Sequence, residues 1–151
     1  MPETIFSLKI KSTAFRNGGD IPKKYSCHGD NINPPIEIND YPRETESLAI
    51  IVEDPDAPNG TFDHWVTWNI PVNDLIPENY PAKEQGNNGR NKIGYTGPCP
   101  PSGRHRYFFK IYALDCLVDL PQGSTKHDLL KEMKDHILAG GELMGYFSAE
   151  K

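Results

Sequence analysis

The chain has 151 residues, 36% of them hydrophobic and 25% charged, which is too apolar for a disordered polypeptide and predicts one domain, residues 1–151, with its own core. The formal net charge is −5 at pH 7, and no run of lysine and arginine is longer than two residues. This argues against a broad basic surface for nucleic acid or anionic lipid, so anion recognition is expected to be local.

The N-terminus and the cysteines carry the expectations about location and redox state. Residues Met1–Ile5 lack the basic and then apolar stretch of a signal peptide, and no apolar run reaches membrane-spanning length. We therefore expect a cytoplasmic protein without stable membrane insertion. Cys27, Cys99 and Cys116 are odd in number and widely spaced, which indicates neither a disulfide framework nor a zinc ribbon. We expect reduced thiols.

Three strands follow from the apolar patterns. The 13 glycines and 14 prolines favour short elements joined by shaped loops, and so β structure over helix. Residues 47–53 are apolar at both alternating sets, which predicts a central strand buried on two faces. The proline-containing segment 54–60 ends this strand. Residues 64–70 and 105–114, rich in aromatic and β-branched residues, predict two further strands.

The rest of the chain predicts one long loop and one helix. Residues 77–103 read as an irregular region, which is either functional or conceals short strands. A helix is predicted over 124–139, with Ser124 or Thr125 as N-cap and Gly140–Gly141 as its end. Its apolar residues recur at four-residue spacing: Leu129, Met133 and Ile137. Residues 143–147 predict a last strand.

Two of the predicted strands begin with a histidine. Side chains two residues apart on a strand share a face, so His105 and Tyr107 point the same way. By the same alternation, His64 shares a face with Val66 and Trp68. A polar residue at the end of an apolar strand predicts the rim of a site. Taken alone, either histidine is more often a satisfied structural residue than a ligand contact.

Asp54 ends the central strand, where a carboxylate needs water or a donor. We expect it to orient or charge a histidine, although an aspartate before proline is more often a turn residue. Arg106 points to the opposite face, where either a structural ion pair or a stacked guanidinium is expected. The proline-stiffened segment 99–103 can present backbone groups to a ligand. Together these groups predict a phosphate-sized site that needs no lysine or arginine.

Two other chemistries stay open at this point. Asp54 and a pocket histidine are the parts of a general base, so a hydrolase is the alternative to a binding protein. No serine or cysteine has the setting of a nucleophile elbow, although Cys99 keeps a thiol reaction conceivable. Metal binding by Asp54, His64 and His105 is less favoured, because the HExxH and CxxC spacings are absent.

Three sequence blocks taken together resemble the signature of the phosphatidylethanolamine-binding protein (PEBP) family, in its short bacterial and archaeal Raf kinase inhibitor-like branch. The blocks are Asp54-Pro55-Asp56-Ala57-Pro58, His64-Trp65-Val66-Thr67-Trp68-Asn69 and Pro100-Pro101-Ser102-Gly103-Arg104-His105-Arg106-Tyr107. The N-terminal block around Cys27 is similar too, with His28 where prokaryotic members commonly have aspartate.

The resemblance implies a mainly β fold, a β-sandwich with a large central sheet, a smaller sheet and one or two helices. It also implies a non-catalytic binding protein without cofactor or bound metal. Its ligand would be a small anion: phosphate, carboxylate or a phosphorylated head group. The pocket residues it implies are Asp54, His64, Pro100, Pro101, His105 and Tyr107, with Gly97 and Cys99 as backbone contributors. A protein kinase or a protease would be the protein partner that it modulates.

Overall fold

The computed structural model describes residues 6–149 of the chain, and its longest strands form where the sequence is most apolar. The strands and the helix, in chain order, are β1 (Phe6–Ser7), β2 (Lys9–Lys11), β3 (Gly19–Asp20), β4 (Ile36–Asn39), β5 (Ser47–Asp54), β6 (Phe62–Ile70), β7 (Leu75–Ile76), β8 (Glu84–Gln85), β9 (Arg104–Leu114), α1 (Lys126–Met133) and β10 (Ile137–Ser148). No helix within this described part is long and apolar enough to cross a bilayer. Met1–Ile5, on which the signal-peptide prediction rests, lies outside it.

The larger sheet has seven strands in the order β1-β10-β9-β5-β6-β8, with β3 also pairing with β10. The strand β5 lies at its centre, antiparallel to both β6 and β9. Its residues 47–52 are all buried, as predicted for a strand covered on two faces. A smaller sheet has the order β2-β4-β7. The predicted fold class, mainly β with a large sheet, a smaller sheet and few helices, is confirmed.

The two faces of the large sheet contribute to two separate cores. One face packs with residues of the smaller sheet, where Ile36 and Ile38 are fully buried in the same cluster as Ile50 and Phe109 of the large sheet. The other face is covered by α1. The residues of this second core include Ala49, Ile51, Val66, Trp68, Leu129 and Met133. Alternation along β5 therefore decides which core a residue joins.

The predicted helix over 124–139 is too long. It begins as expected, because Thr125 and Asp128 form a reciprocal capping box. It ends at Met133, however, and Asp135 has a φ of 69°, which breaks the helical path. The next residues pair with β9, Ile137 with Leu114. Gly140–Gly141 therefore lie inside β10 rather than at a helix end, because pairing with a neighbouring strand satisfies the same backbone groups.

The prediction of reduced cysteines is wrong for two of the three. Cys27 and Cys99 form a disulfide, with their Cα atoms 5.5 Å apart, whereas Cys116 is free. The bond joins the turn that follows a 3-10 turn at Lys23–Tyr25 to the predicted long irregular region. That region also conceals a short strand, β8, and a bridge between Asn87 and Ile93.

Candidate functional site

A cavity of about 300 Å³ opens at one edge of the large sheet, where β5 ends and β6 and β9 begin. Because β5 is antiparallel to both neighbours, its last residue pairs with Phe62 at the start of β6, and Glu53 pairs with Phe108 in the first half of β9. Seven of the predicted site residues line the cavity: Asp54, His64, Cys99, Pro100, Pro101, His105 and Tyr107. The other lining residues are Ala57, Pro58, Phe62 and Arg90.

Asp54 orients His105, as the sequence predicts. The His105 Nδ1 atom donates to Oδ2 of Asp54 over 2.7 Å, and only 9% and 4% of the two side chains are exposed. The other carboxylate oxygen, Oδ1, accepts from the backbone N–H of Asp56 over 2.7 Å. Both oxygens of Asp54 are therefore engaged, and Nε2 is the remaining polar atom of the His105 ring.

His64 reaches the cavity through an irregularity that strict alternation does not predict. Val52 pairs with Trp65 and Glu53 with Asp63, so His64 is an extra residue of β6 at a β-bulge. A bulge can turn two successive side chains to the same face. His64 consequently faces Tyr107, at 5.2 Å between ring centroids. Val66 and Trp68 lie in the core under α1, so the predicted shared face with them is wrong.

The His64 ring is held by the segment that leads to the prolines. Its Nδ1 lies 2.7 Å from the carbonyl oxygen of Thr96, and because that oxygen can only accept, Nδ1 carries the proton. The backbone N–H of Thr96 donates to the His64 carbonyl in return, over 2.9 Å. Burial lowers the pKa of His64, against the opposing effect of the Thr96 hydrogen bond. Nε2 is therefore the free nitrogen of a neutral ring.

Tyr107 is 1% exposed. Its ring stacks near that of His105, with centroids 6.4 Å apart and planes inclined by 22°. Within the described residues, its hydroxyl forms no hydrogen bond of good geometry, although the Asp54 carboxylate and the Cys99 backbone lie near it. Burial and the nearby charge of Asp54 raise the pKa of the phenol, so the hydroxyl keeps its proton and remains a donor.

Gly97 does not line the cavity, contrary to the expectation that it contributes to the pocket wall. Its N–H donates to Oδ1 of Asn31 over 2.7 Å. A Cβ atom built on Gly97 would lie 2.2 Å from the carbonyl oxygen of Tyr25, which only glycine avoids. Gly97 therefore lets the loop 97–101 approach the segment 25–31, and this contact positions Pro100 and Pro101.

Arg90 is the charged residue among the four lining residues that sequence reasoning missed. It is exposed and lies on the long irregular region, where its N–H donates to Asn88 Oδ1 over 2.8 Å. It forms no ion pair with any residue of the described part of the chain. The positive charge of Arg90 lowers the pKa of His64. In the sequence, the only indication of a role for Arg90 was that a basic residue lies in a loop too long to be a simple connection.

Two charged residues next to site residues in the sequence, Arg106 and Asp63, point away from the cavity. Arg106 donates to Asp56 through its side chain and its backbone N–H, at 2.8 to 2.9 Å, which confirms the predicted ion pair. Hydrogen bonds from Arg106 hold the pKa of Asp56 down at about 2. Asp63 lies 2.7 Å from Lys126 of α1, so it faces the opposite side of the sheet, as alternation predicts.

The described residues contain two groups of three side chains that are close enough to share one metal ion. They are Cys27, His28 and Cys99, and Asp115, Cys116 and His136. The trio considered from the sequence, Asp54, His64 and His105, does not form such a group within the described residues.

Comparison with known proteins gives concordant results. The family model "Phosphatidylethanolamine-binding protein" matches residues 11–148. A UPF0098 protein of Archaeoglobus fulgidus is 47% identical over 154 residues, covering 96% of this chain and 52% of that protein. The chain therefore spans about half the length of that relative. A UPF0098 protein of Methanothermobacter thermautotrophicus is 44% identical over 148 residues, covering 93% of this chain and 98% of that protein.

Solved structures agree with the sequence comparisons. A PEBP homologue from Chlamydia trachomatis superposes with a TM-score of 0.91 at 43% identity, covering 95% of this chain and 99% of that one. Escherichia coli YbcL, a member of the mammalian PEBP family by its description, has the same fold, with a TM-score of 0.87 at 24% identity over 95% of this chain and 99% of its own. This chain belongs to the phosphatidylethanolamine-binding protein family.

Proposed function

We propose that the pocket binds a small anion, namely phosphate, a carboxylate or a phosphorylated head group, and that it does so without catalysis. The proposal rests on the polar side-chain atoms at the cavity that form no hydrogen bond within the part of the chain that the structure describes. Nδ1 of His64 and Nδ1 of His105 are each engaged by an acceptor, which leaves both Nε2 atoms. The Tyr107 hydroxyl forms no hydrogen bond of good geometry among the described residues. These are three convergent positions for oxygen atoms of a ligand.

The charge distribution supports an anion rather than a cation. Asp54 would repel an anion, but both its oxygens already accept hydrogen bonds, from the His105 ring and from the backbone of Asp56. Arg90 adds a cation at the mouth of the cavity. Apolar walls from Phe62 and Pro58 lower the local dielectric and strengthen hydrogen bonds to a charged ligand.

Binding is expected to be coupled to a proton. Burial lowers the pKa of His64, so its Nε2 is an acceptor near neutral pH and would face the oxygen of a fully ionised ligand unfavourably. Either the ligand keeps a proton, as monobasic phosphate does, or His64 takes one up. Both routes make the affinity for phosphate rise as pH falls through the neutral range.

Titration with inorganic phosphate, acetate and phosphoethanolamine, followed by histidine NMR, tests the proposal. The ring signals of His64 and His105 are expected to shift together and saturate. The variant His105→Asn is expected to weaken phosphate binding by about tenfold or more, as for loss of a charge-assisted hydrogen bond. His136→Asn is the matched control, because His136 also donates to an aspartate, Asp115, at 2.8 Å but does not line the cavity. Absence of saturable shifts at His64 and His105 would refute the proposal.

A hydrolase is the second candidate, favoured by the Asp54–His105 pair, since a carboxylate that orients a histidine is the arrangement of a general base. Against it, Cys99 is held in a disulfide and the pKa of Tyr107 is raised, so neither is a ready nucleophile and an activated water would be required. Turnover of phosphomonoesters or carboxyl esters that is lost in Asp54→Asn would establish this activity. Saturable phosphate binding without turnover supports the binding proposal.

We extend the proposal to a cellular role on the basis of family membership alone. A phosphorylated segment of a protein kinase or of a protease would present the same anion to the pocket, and so the protein would modulate that partner. The cytoplasmic location stays a prediction from the sequence. Loss of partner binding in His105→Asn, with binding kept in His136→Asn, would link partner recognition to the pocket.

A further inference from the structure

We propose that Cys27, Cys99 and His28 form a binding site for a thiophilic divalent cation of the Zn²⁺ class, which opens when the disulfide is reduced. One ligand atom from each of these residues lies within 4.8 Å of the other two. Two sulfur atoms and one imidazole nitrogen are a donor set that zinc prefers, with water as fourth ligand. This site shares Cys99 with the histidine pocket, but it uses neither of the pocket histidines and does not depend on anion binding there.

The two loops that carry the cysteines are held together by bonds that do not involve sulfur. The Cys27 N–H donates to the Pro98 carbonyl over 3.1 Å, and the Tyr95 hydroxyl donates to the Tyr25 carbonyl over 2.8 Å. The Gly97 N–H bond to the segment 25–31 adds a third link. Reduction therefore leaves both cysteines facing each other, so a metal ion meets a largely preformed site.

The distances that zinc requires are within reach of this arrangement. Zinc–sulfur bonds of about 2.3 Å place two thiolates about 3.8 Å apart in a tetrahedral site. The cysteine Cα atoms are 5.5 Å apart, so rotation of the side chains can bring the sulfur atoms to that separation without moving the backbone. His28 is exposed, and its ring is free to turn toward the ion.

The site is accessible to a reductant and to a metal ion. Cys27, His28 and Cys99 line a second cavity, of about 540 Å³, together with Arg90 and Lys92. A reductant and a hydrated ion can therefore enter. Two thiolates neutralise the double charge of the ion.

The chemistry has three balanced steps. A dithiol reductant transfers two electrons and two protons to the Cys27–Cys99 disulfide, which yields two protein thiols, while the reductant becomes a disulfide. Zinc then displaces one proton from each thiol and binds the neutral His28 imidazole, so two protons are released for each ion bound. Reoxidation of the two thiolates, with transfer of two electrons to a disulfide oxidant, expels the ion.

Cobalt titration of the full chain tests the inference. All samples carry Cys116→Ser, which removes the remaining thiol and breaks the second ligand group. After reduction with a phosphine under anaerobic conditions, one equivalent of Co²⁺ is expected to give thiolate-to-cobalt charge-transfer absorption. Zinc should then displace the cobalt and protect both thiols from alkylation. Oxidised protein should show neither effect. Equal binding by oxidised protein, or no stoichiometric binding by reduced protein, would overturn the proposal.

A matched pair of histidine variants tests the third ligand. His28→Ala is expected to weaken cobalt binding by about tenfold or more, whereas His127→Ala, an exposed histidine on α1, should leave it unchanged; equal binding in both variants would remove His28 from the site. Near-ultraviolet circular dichroism shows whether the reduced chain keeps its fold. If that chain unfolds, recovery of the signal with one equivalent of zinc supports the site, and failure to recover overturns it.

Discussion

Loss of the Cys27–Cys99 disulfide should destabilise the protein mainly through its unfolded state. The bond joins residues 72 positions apart, and the loop-closure entropy of such a crosslink corresponds to about 4 kcal/mol at 25 °C. The loops remain linked by backbone and side-chain hydrogen bonds, such as that between Tyr95 and Tyr25, so the native fold should persist. The double variant Cys27→Ser/Cys99→Ser is therefore expected to lower the free energy of unfolding by about this amount and the Tm by about 12 °C.

Urea denaturation at fixed pH, followed by tryptophan fluorescence, measures this difference. The m value should also increase in the double variant, because the unfolded chain without the crosslink exposes more surface. Cys116→Ser is the control, since Cys116 is free and half-buried, and we expect it to change stability by less than about 1 kcal/mol. A loss in the double variant below about 1 kcal/mol would refute the entropic reasoning. A change in the native near-ultraviolet spectrum would refute the claim that the other bonds hold the loops.

Three further predictions concern stability. Gly97→Ala should cost about 2 kcal/mol or more in urea denaturation, because the new Cβ would lie 2.2 Å from a carbonyl oxygen, whereas Gly140→Ala, where the nearest atom is 3.7 Å away, should be tolerated. Equal effects would contradict the steric argument. Leu129→Ala should cost about 2–5 kcal/mol, because Leu129 is fully buried, and Leu130→Ala, at a residue 42% exposed, should cost far less. A comparable loss in both would mean that α1 is not packed as described. Hydrogen bonds from Arg106 lower the pKa of Asp56 from 3.8 to about 2. This ion pair therefore stabilises the folded protein fully at pH values above 3.8, and the stabilisation is lost as pH falls toward 2. Asp56→Asn should therefore flatten the decline of Tm over that range, and an unchanged slope would contradict the ion-pair assignment.

Local patterns in the sequence determined the long strands and part of the site. The doubly apolar run before Asp54 could only be a strand buried on both faces, since each alternate set must be covered. The two-residue period of a strand placed His105 and Tyr107 on one face, and the structure agrees. The cap at Thr125 was readable as well, because a capping box depends on residues three positions apart.

Contacts between distant segments decided the rest. The bulge at His64 arises from pairing with β5, and the early end of α1 at Met133 follows from pairing of the next residues with β9. The Cys27–Cys99 bond and the position of Arg90 depend on how two loops meet. Sequence periodicity reports the preference of one segment for its own backbone geometry, whereas register, bulges and crosslinks depend on the surface of a partner far along the chain. That is why the sequence by itself pointed to seven of the residues that line the cavity, and only the tertiary structure decided how they are oriented around it.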